Sequence, residues 1–421
     1  MKRSVVILLS FIFFNGLAQK FSPNYNESKI PKYELPALLI SKKGNAITTS
    51  EEWEKRRRKE VLADFEEYVY GKIPQGKIQT KTQLIKEMDA FNGKATMKEV
   101  RMTFTKKDKS ISMDILIYLP KSQTKSPVFV GLNFYGNQTI TDDPNVSLTS
   151  SWTRNNKSLG ITENKATEAS RGGGQKRWAV EDILSRGYGL ATIYYGDIDP
   201  DKDDFSDGVH ALFYKSGQSK PSKNEWGSVA GWAWGLSRAM DYFEEDEDID
   251  NSKIALMGHS RLGKAALWAG AADQRFAIVI SNDSGCGGAA LSRRRIGETV
   301  GRINTSFPHW FCDNFNDYSN NEDALPVDQH MLIAMIAPRP VYVASAENDF
   351  WADPKGEFMS AYLAGEVYEL FGLEGLPTDQ MPKVNQPIQK SVGYHIRTGK
   401  HDVTDFDWKA YLDFADMHFG K

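Results

Sequence analysis

Residues 254 to 264 read Ile-Ala-Leu-Met-Gly-His-Ser-Arg-Leu-Gly-Lys, so one serine follows an apolar segment and a glycine. A helix-forming stretch, residues 265 to 269, comes directly after. This order is typical of a nucleophile elbow, a strand-to-helix turn that exposes a serine hydroxyl beside free helix N–H groups. Ser260 is therefore the candidate nucleophile. The match to Gly-x-Ser-x-Gly is imperfect, because Leu262 replaces the last glycine and Gly263 comes one residue later; an ordinary helix-capping serine is the alternative.

A serine hydroxyl needs a base to accept its proton and an acid to orient that base. In an α/β-hydrolase the three residues follow the chain order serine, acid, histidine. His401 lies in the loop after the last predicted strand and is the candidate base, whereas His259 is expected to point away from the serine. Asp349 and Asp283 each follow a predicted strand and are both candidate acids, with Glu347 as a third choice. Either aspartate can instead cap a turn or a helix.

The apolar pattern predicts an α/β-hydrolase fold, in which a mostly parallel central sheet has helices on both faces and loop insertions at the active-site rim. The predicted strands begin with two β-rich segments, 99–104 and 112–119, of which the second alternates. Buried apolar runs follow at 127–134, 188–194, 253–257, 276–281 and 340–346, with a last strand at 391–397. The predicted helices are 50–70, 178–185, 227–243, 261–271 and 404–417. Polar segments 135–177 and 199–226 are expected to be ordered insertions at the rim, with solvated loops as the alternative.

Residues 1 to 18 have the composition of a cleavable secretory signal, since two basic residues precede an apolar run that is too short to span a membrane. A secreted or periplasmic protein without stable membrane insertion is expected, and a membrane anchor is the alternative. Residues 19 to 421 are then expected to form one catalytic domain with an extended N-terminal lead-in. The net charge of -3 gives no reason to expect nucleic acid binding.

The chain has two cysteines, Cys286 and Cys312. They can form a disulfide in an oxidising compartment or remain two buried thiols, and the sequence leaves both possibilities open. Neither lies in a spacing typical of zinc or haem attachment, and we expect neither a metal nor a cofactor.

The chain resembles the glucuronoyl esterases, carbohydrate esterase family fifteen, and is most similar to their bacterial branch. The resemblance extends from about Leu132 to the C-terminus. It is strongest in Gly-His-Ser-Arg-Leu-Gly-Lys (258–264), Arg-Ile-Gly-Glu-Thr-Val (295–300), Leu-Pro-Val-Asp-Gln-His (325–330), Ile-Ala-Pro-Arg-Pro (336–340) and Trp-Ala-Asp-Pro-Lys-Gly-Glu-Phe (351–358). The family pattern Gly-x-Ser-Arg-x-Gly-Lys also accounts for the displaced glycine of the elbow.

The resemblance implies a serine esterase that cleaves the ester between a (4-O-methyl-)glucuronic acid side group of xylan and a lignin alcohol. Ser260 would attack the carbonyl, His401 would pass the proton to the leaving alcohol, and Arg261 would join a backbone N–H in binding the oxyanion. The residues implied to contact sugar hydroxyls are Lys264, Glu298 and Trp351.

Two departures from the fungal members affect this interpretation. They carry a glutamate where this chain has Asp283 and a cysteine where it has His259, so their elbow disulfide cannot form here. The shorter Asp283 favours Asp349, an acid position of bacterial relatives. The alternatives are a deacetylase acting on acetylxylan or another polysaccharide, and an inactive carbohydrate-binding homologue.

Overall fold

A mixed sheet of nine strands runs through the part of the chain that the computed structural model describes, residues 21 to 421. The strands are β1 (Gln79–Ala90), β2 (Ala95–Lys106), β3 (Lys109–Pro120), β4 (Ser126–Asn133), β5 (Gly189–Tyr194), β6 (Ile249–His259), β7 (Ile278–Asn282), β8 (Val341–Ala346) and β9 (Val392–Arg397). Their order in the sheet is β1-β2-β3-β5-β4-β6-β7-β8-β9. The signal predicted at residues 1 to 18 lies outside the described residues. Within residues 21 to 421, no helix combines the length and apolar character needed to cross a membrane.

The strands from β4 onward pair in parallel, whereas β1, β2 and β3 form an antiparallel edge that meets β5. The predicted, mostly parallel α/β-hydrolase sheet is therefore confirmed. Because β6, β7, β8 and β9 are neighbours with one direction, their carboxyl ends lie at one edge of the sheet. Ser260, Asp283, Asp349 and His401 each follow one of these four ends. The fold thus brings the predicted catalytic residues to the same edge.

Helices cover both faces of the sheet. They are α1 (Ser50–Glu52), α2 (Arg58–Tyr68), α3 (Val180–Ser185), α4 (Tyr195–Ile198), α5 (His210–Phe213), α6 (Ser228–Phe243), α7 (Arg261–Ala272), α8 (Val300–Ser306), α9 (Gln329–Ala334), α10 (Pro354–Leu370) and α11 (Asp405–Phe419). Alternate residues of a strand point to opposite faces, so Val128 and Val130 of β4 join the core under α6, α7, α9 and α10, while Phe129 joins the core under α3 and α11. Every residue of β4 is buried, as expected of a strand covered on both sides.

Two long elements were not predicted. The side chains of β1 are mostly exposed and polar, and its backbone pairs with β2 along its length. An edge strand of this kind depends on its partner, because no buried face imposes an apolar alternation. Helix α10 did have local signals: Asp353 accepts from Gly356 N at its N-cap, and Pro354 occupies its first turn. The helix predicted at 50–70 is interrupted by a π-helical segment, Trp53–Arg57.

Both cysteines are buried free thiols, so the disulfide considered for Cys286 and Cys312 does not form. Cys312 Sγ lies 3.7 Å from Glu67 O as a weak donor. The second of the two possibilities, a pair of buried thiols, is the one observed.

The buried carboxylate of Asp407 connects the last strand to the last helix. It accepts from His395 Nε2 at 3.0 Å and Arg397 Nε at 2.7 Å, both on β9. It also accepts from the backbone N–H of Thr404 at 2.7 Å, which closes the capping box of α11. The loop between Arg397 and Thr404 carries His401, so Asp407 forms hydrogen bonds at both ends of that loop.

We expect Asp407→Asn to lower the free energy of unfolding by about 3 kcal/mol, because the buried Arg397 guanidinium loses its counter-charge. Asp405→Asn is the matched control, since Asp405 is exposed in the first turn of the same helix; its loss should stay below about 1 kcal/mol. Urea unfolding of both variants measures the difference. Equal effects would mean that Asp407 contributes no more than a surface helix charge.

Candidate active site

Ser260 lies in a turn whose backbone is strained. Its φ is +58° and its ψ is -130°, between the end of β6 and the start of α7. A Cβ on Gly258 would lie 2.1 Å from Leu262 O, and one on Gly263 would lie 3.0 Å from Gly258 O. Both glycines are therefore needed for the close approach of the two limbs of the turn. This explains why the second glycine of the elbow comes one residue later than in Gly-x-Ser-x-Gly.

The candidate base and one candidate acid are in direct contact. His401 Nδ1 lies 2.6 Å from Asp349 Oδ2. Asp349 is buried, whereas the His401 ring is partly exposed. Both side chains line a cavity of about 290 Å³ that also contains Ser260. Since Nδ1 is occupied by the carboxylate, Nε2 is the ring nitrogen available to accept a proton.

Asp283, the other candidate acid, lies beside this pair without holding the imidazole. One ligand atom from each of Asp283, Asp349 and His401 lies within 4.8 Å of the other two. Asp283 Oδ2 is 3.5 Å from Arg397 Nη2, and Oδ1 has no hydrogen-bond partner among the described residues. Burial, reinforced by the charge of Glu357, raises the pKa of Asp283 well above its usual value.

Glu357, which was not predicted as a site residue, lies buried close to the two candidate acids. It lies on α10 and is fully buried. Its carboxylate accepts from Gly285 N at 2.9 Å and from Ser345 Oγ at 2.7 Å. It therefore links the loop after β7 to β8. Burial raises the pKa of Glu357 to about 8, although the hydrogen bond from Ser345 acts in the opposite direction.

The guanidinium of Arg261 is held from two sides. It pairs with Asp201, and it lies over the ring of Trp310 with 4.8 Å between guanidinium carbon and ring centroid. Asp201 is buried and also accepts from His309 Nε2 and Trp310 Nε1, each at 2.8 Å. Burial alone would raise the pKa of Asp201, but the bond from His309 and the charge of Arg261 hold it well below its usual value. A permanent anion therefore fixes the cation next to the serine.

Asp201, His309 and Trp310 have no recognisable motif in the sequence. Asp201 belongs to the segment 199–226, which was expected to reach the active-site rim. Its position confirms that expectation, and residues 135–177 contribute Arg154, whose Nη2 lies 3.1 Å from Asp201 Oδ2.

The three residues expected to contact sugar line the same cavity. Lys264 Nζ donates to Ser284 O at 2.6 Å and to Cys286 O at 2.7 Å, and lies 3.8 Å from Glu298 Oε2. An ammonium has three donors, so one remains for a ligand. Burial lowers the pKa of Lys264 and raises that of Glu298. Glu298 N donates to Trp351 O at 3.0 Å, and this backbone hydrogen bond holds Glu298 next to Trp351.

His259, which was expected to point away from the serine, is not among the residues that line the cavity, but its ring packs against that of the candidate base. Its ring centroid is 4.5 Å from that of His401, and its Nδ1 lies 2.6 Å from Asn282 Oδ1. Burial, with the neighbouring charge of His401, lowers the pKa of His259 well below its usual value. A neutral imidazole thus packs against the candidate base.

Comparison with known proteins gives a consistent result. A family model described as glucuronyl esterase of fungi matches residues 183–372. The chain is 53% identical over 402 residues to a carbohydrate esterase from an unknown prokaryotic organism, covering 95% of this chain and 93% of that protein. It is 27% identical over 387 residues to a 4-O-methyl-glucuronoyl methylesterase of Schizophyllum commune, covering 89% of this chain and 83% of that protein.

Solved structures agree with these relatives. A promiscuous carbohydrate esterase family 15 enzyme from a marine bacterial metagenome superposes with a TM-score of 0.89 at 53% identity, covering 94% of this chain and 100% of that chain. A glucuronoyl esterase from Solibacter usitatus superposes with a TM-score of 0.88 at 49% identity, covering 93% of this chain and 100% of that chain.

The raised pKa of Glu357 predicts a specific pH dependence of stability. Below a pH of about 4.5 both the folded and unfolded states hold the proton; between about 4.5 and 8 only the folded state does, so stability falls as pH rises. Glu357→Gln keeps the side-chain shape and removes this titration. The wild type should lose roughly 4 kcal/mol of unfolding free energy between pH 5 and pH 8 that the variant does not lose. The stability of the variant relative to the wild type should therefore rise by that amount over this range.

Denaturant unfolding of both proteins at the two pH values measures this gain. A difference between variant and wild type that stays constant across the range would mean that Glu357 is ionised in the folded protein at pH 5.

Proposed function

The chain belongs to the glucuronoyl esterases of carbohydrate esterase family 15, and we propose that it hydrolyses the ester between a glucuronic acid side group of xylan and a lignin alcohol. One observation carries this proposal. A single cavity is lined by a serine on an elbow, a histidine bonded to a buried carboxylate, an arginine, and a lysine, glutamate and tryptophan that offer sugar contacts. Nucleophile, base and sugar-binding groups therefore face one space.

We propose that Ser260 Oγ attacks the ester carbonyl while His401 Nε2 takes its proton. Asp349 orients the ring and stabilises the imidazolium, which the 2.6 Å contact supports. Collapse of the tetrahedral intermediate releases the alcohol, which leaves with the proton from His401. Water, activated by the same ring, then frees the uronate and restores Ser260.

Arg261 is proposed to bind the oxyanion. Asp201 and Trp310 fix its guanidinium before substrate arrives, and Arg261 lines the same cavity as Ser260. A donor that is already oriented needs no reorganisation as charge develops. The charged guanidinium makes that hydrogen bond stronger than one from a neutral amide.

Lys264, Glu298 and Trp351 are proposed to bind the ring hydroxyls of the uronate. The free donor of Lys264, the carboxylate oxygens of Glu298 and the indole N–H of Trp351 provide complementary donors and acceptors. A uronate whose C6 carbonyl meets Ser260 would present its hydroxyls to these groups. In a deacetylase the acetyl carbonyl would meet Ser260, and the sugar would be the leaving alcohol. Lys264, Glu298 and Trp351 would then have to bind the group that His401 protonates.

We further propose that the enzyme acts outside the cytoplasm, with residues 19 to 421 as its catalytic domain after removal of residues 1 to 18. The composition of that leader and the polymeric nature of the proposed substrate support this location.

Ser260→Ala is expected to lower the rate of acid release from benzyl glucuronate by at least about 10⁴-fold, since nothing replaces the nucleophile. Ser252→Ala is the matched control, because Ser252 is exposed on the same strand; its rate should equal that of the wild type. Acetylated xylan is assayed in parallel. Serine-dependent release of acetate with no cleavage of the uronate ester would replace the proposed function with deacetylation.

The two acids can be separated by substitution. Asp349→Asn should lower kcat by about 10³-fold to 10⁴-fold, because an amide holds the imidazole in the wrong tautomer. Asp283→Asn should cost less than about tenfold, since Asp283 makes no bond to the ring and its raised pKa makes it resemble a neutral amide. Steady-state kinetics on benzyl glucuronate measure both. Comparable losses would mean that both carboxylates orient His401, and a larger loss from Asp283→Asn would exclude Asp349 as the working acid.

A further inference from the structure

Four aromatic side chains form an exposed shelf next to the catalytic cavity. Among residues 21 to 421, the four most exposed Phe, Tyr and Trp side chains all belong to this group: Phe21 at 36%, Tyr25 at 51%, Phe350 at 56% and Trp351 at 37%. A contiguous exposed apolar patch is typical of a surface that binds a ligand or a partner. Its concentration in one place therefore requires an explanation.

The rings contact one another in pairs. Phe21 packs edge-to-face on Trp351 with 6.1 Å between centroids, and Tyr25 lies 6.2 Å from Phe350. Trp351 also lines the catalytic cavity. The shelf is thus continuous with the proposed uronate site.

The N-terminal half of the shelf is held by the segments that carry the proposed sugar contacts. Asn24 O accepts from Gly297 N at 2.9 Å, one residue before Glu298. Glu27 pairs with Arg294 and, at 3.1 Å, with Lys355 Nζ. These anchors fix the position of residues 21 to 27 relative to Trp351 and Glu298.

A second cavity adjoins the shelf at Tyr25. Its volume is about 730 Å³, and its lining includes Tyr25, Asn24, Asn26, Lys29 and Arg295. Amide and cationic groups beside an aromatic ring are suited to a ligand that has both hydroxyls and an apolar face. Pyranose rings have both, because their C–H face packs against the negative face of an aromatic ring.

The chemistry of the reaction decides which part of the substrate meets the shelf. His401 must protonate the leaving alcohol, so the alcohol lies on the His401 side of the cavity. The ring hydroxyls are proposed to meet Glu298 and Trp351, so the sugar that carries the glycosidic bond lies next to the shelf, of which Trp351 is a part. We infer that the shelf and the adjoining cavity form a subsite for the polysaccharide chain that carries the uronate, an inference that rests on the function proposed above.

Tyr25→Ala tests the subsite without touching the catalytic cavity. The substrates are benzyl glucuronate, methyl glucuronate and the benzyl ester of a glucuronoxylo-oligosaccharide. We expect KM for the oligosaccharide ester to rise about tenfold with kcat unchanged, as for loss of one ring from a binding surface. Both simple esters should retain their KM. Tyr25→Phe, which keeps the ring, should restore KM on the oligosaccharide.

Leu84→Ala is the matched control, since Leu84 is equally exposed on β1, and it should change no constant. Thermal unfolding of Tyr25→Ala should match the wild type, because the side chain is half exposed. An unchanged KM for the oligosaccharide ester would overturn the subsite. A higher KM for the benzyl ester but not the methyl ester would also overturn it, and would assign the shelf to the alcohol. If the wild type cleaved none of the three esters, the proposed function itself would be refuted.

Discussion

The backbone of Ser260 is the constraint on which the rest of the site depends. A non-glycine residue at a φ of +58° is held in a sparsely populated conformation that costs of order 1–3 kcal/mol. It persists because the packing on both sides specifies it: Gly258 and Gly263 allow the two limbs to approach, and Ser260 N donates to Asn282 O at 2.9 Å. Moving the serine out of this conformation would turn its hydroxyl away from the cavity that the other residues line.

Around that turn, the charges are arranged so that each buried ion has a counter-ion or a proton. Asp201 fixes Arg261, and Asp407 fixes Arg397. The acids near His401 follow another rule, since several carboxylates close together cannot all be ionised. Burial raises the pKa of Asp283 and of Glu357, which favours their neutral forms, and Asp349 is the carboxylate that bonds to the imidazole. One carboxylate can then stabilise the imidazolium without repulsion from its neighbours.

The rim of the site is built from segments that lie far from the elbow in the sequence. The segment 199–226 supplies Asp201, and residues 21 to 27 pack against Trp351. The core sheet positions the proposed nucleophile, base and acid, because each follows the end of one of its strands. The rim determines what can approach them. Changes in residues 21 to 27 can therefore alter what binds without moving the proposed catalytic residues, whereas a change at the buried Asp201 would also release Arg261.

The sequence by itself determined the fold class and predicted the candidate nucleophile and base. These follow from signals that are local or ordered along the chain: buried apolar strands, the glycines around Ser260, and a histidine after the last strand. Only the tertiary structure decided that Asp349 rather than Asp283 contacts His401, that His259 packs against that ring, and that Asp201 and Glu357 belong to the site. Those relations are distances of a few ångströms between residues far apart in sequence. Burial and neighbouring charge, which set their protonation, exist only once the chain has folded.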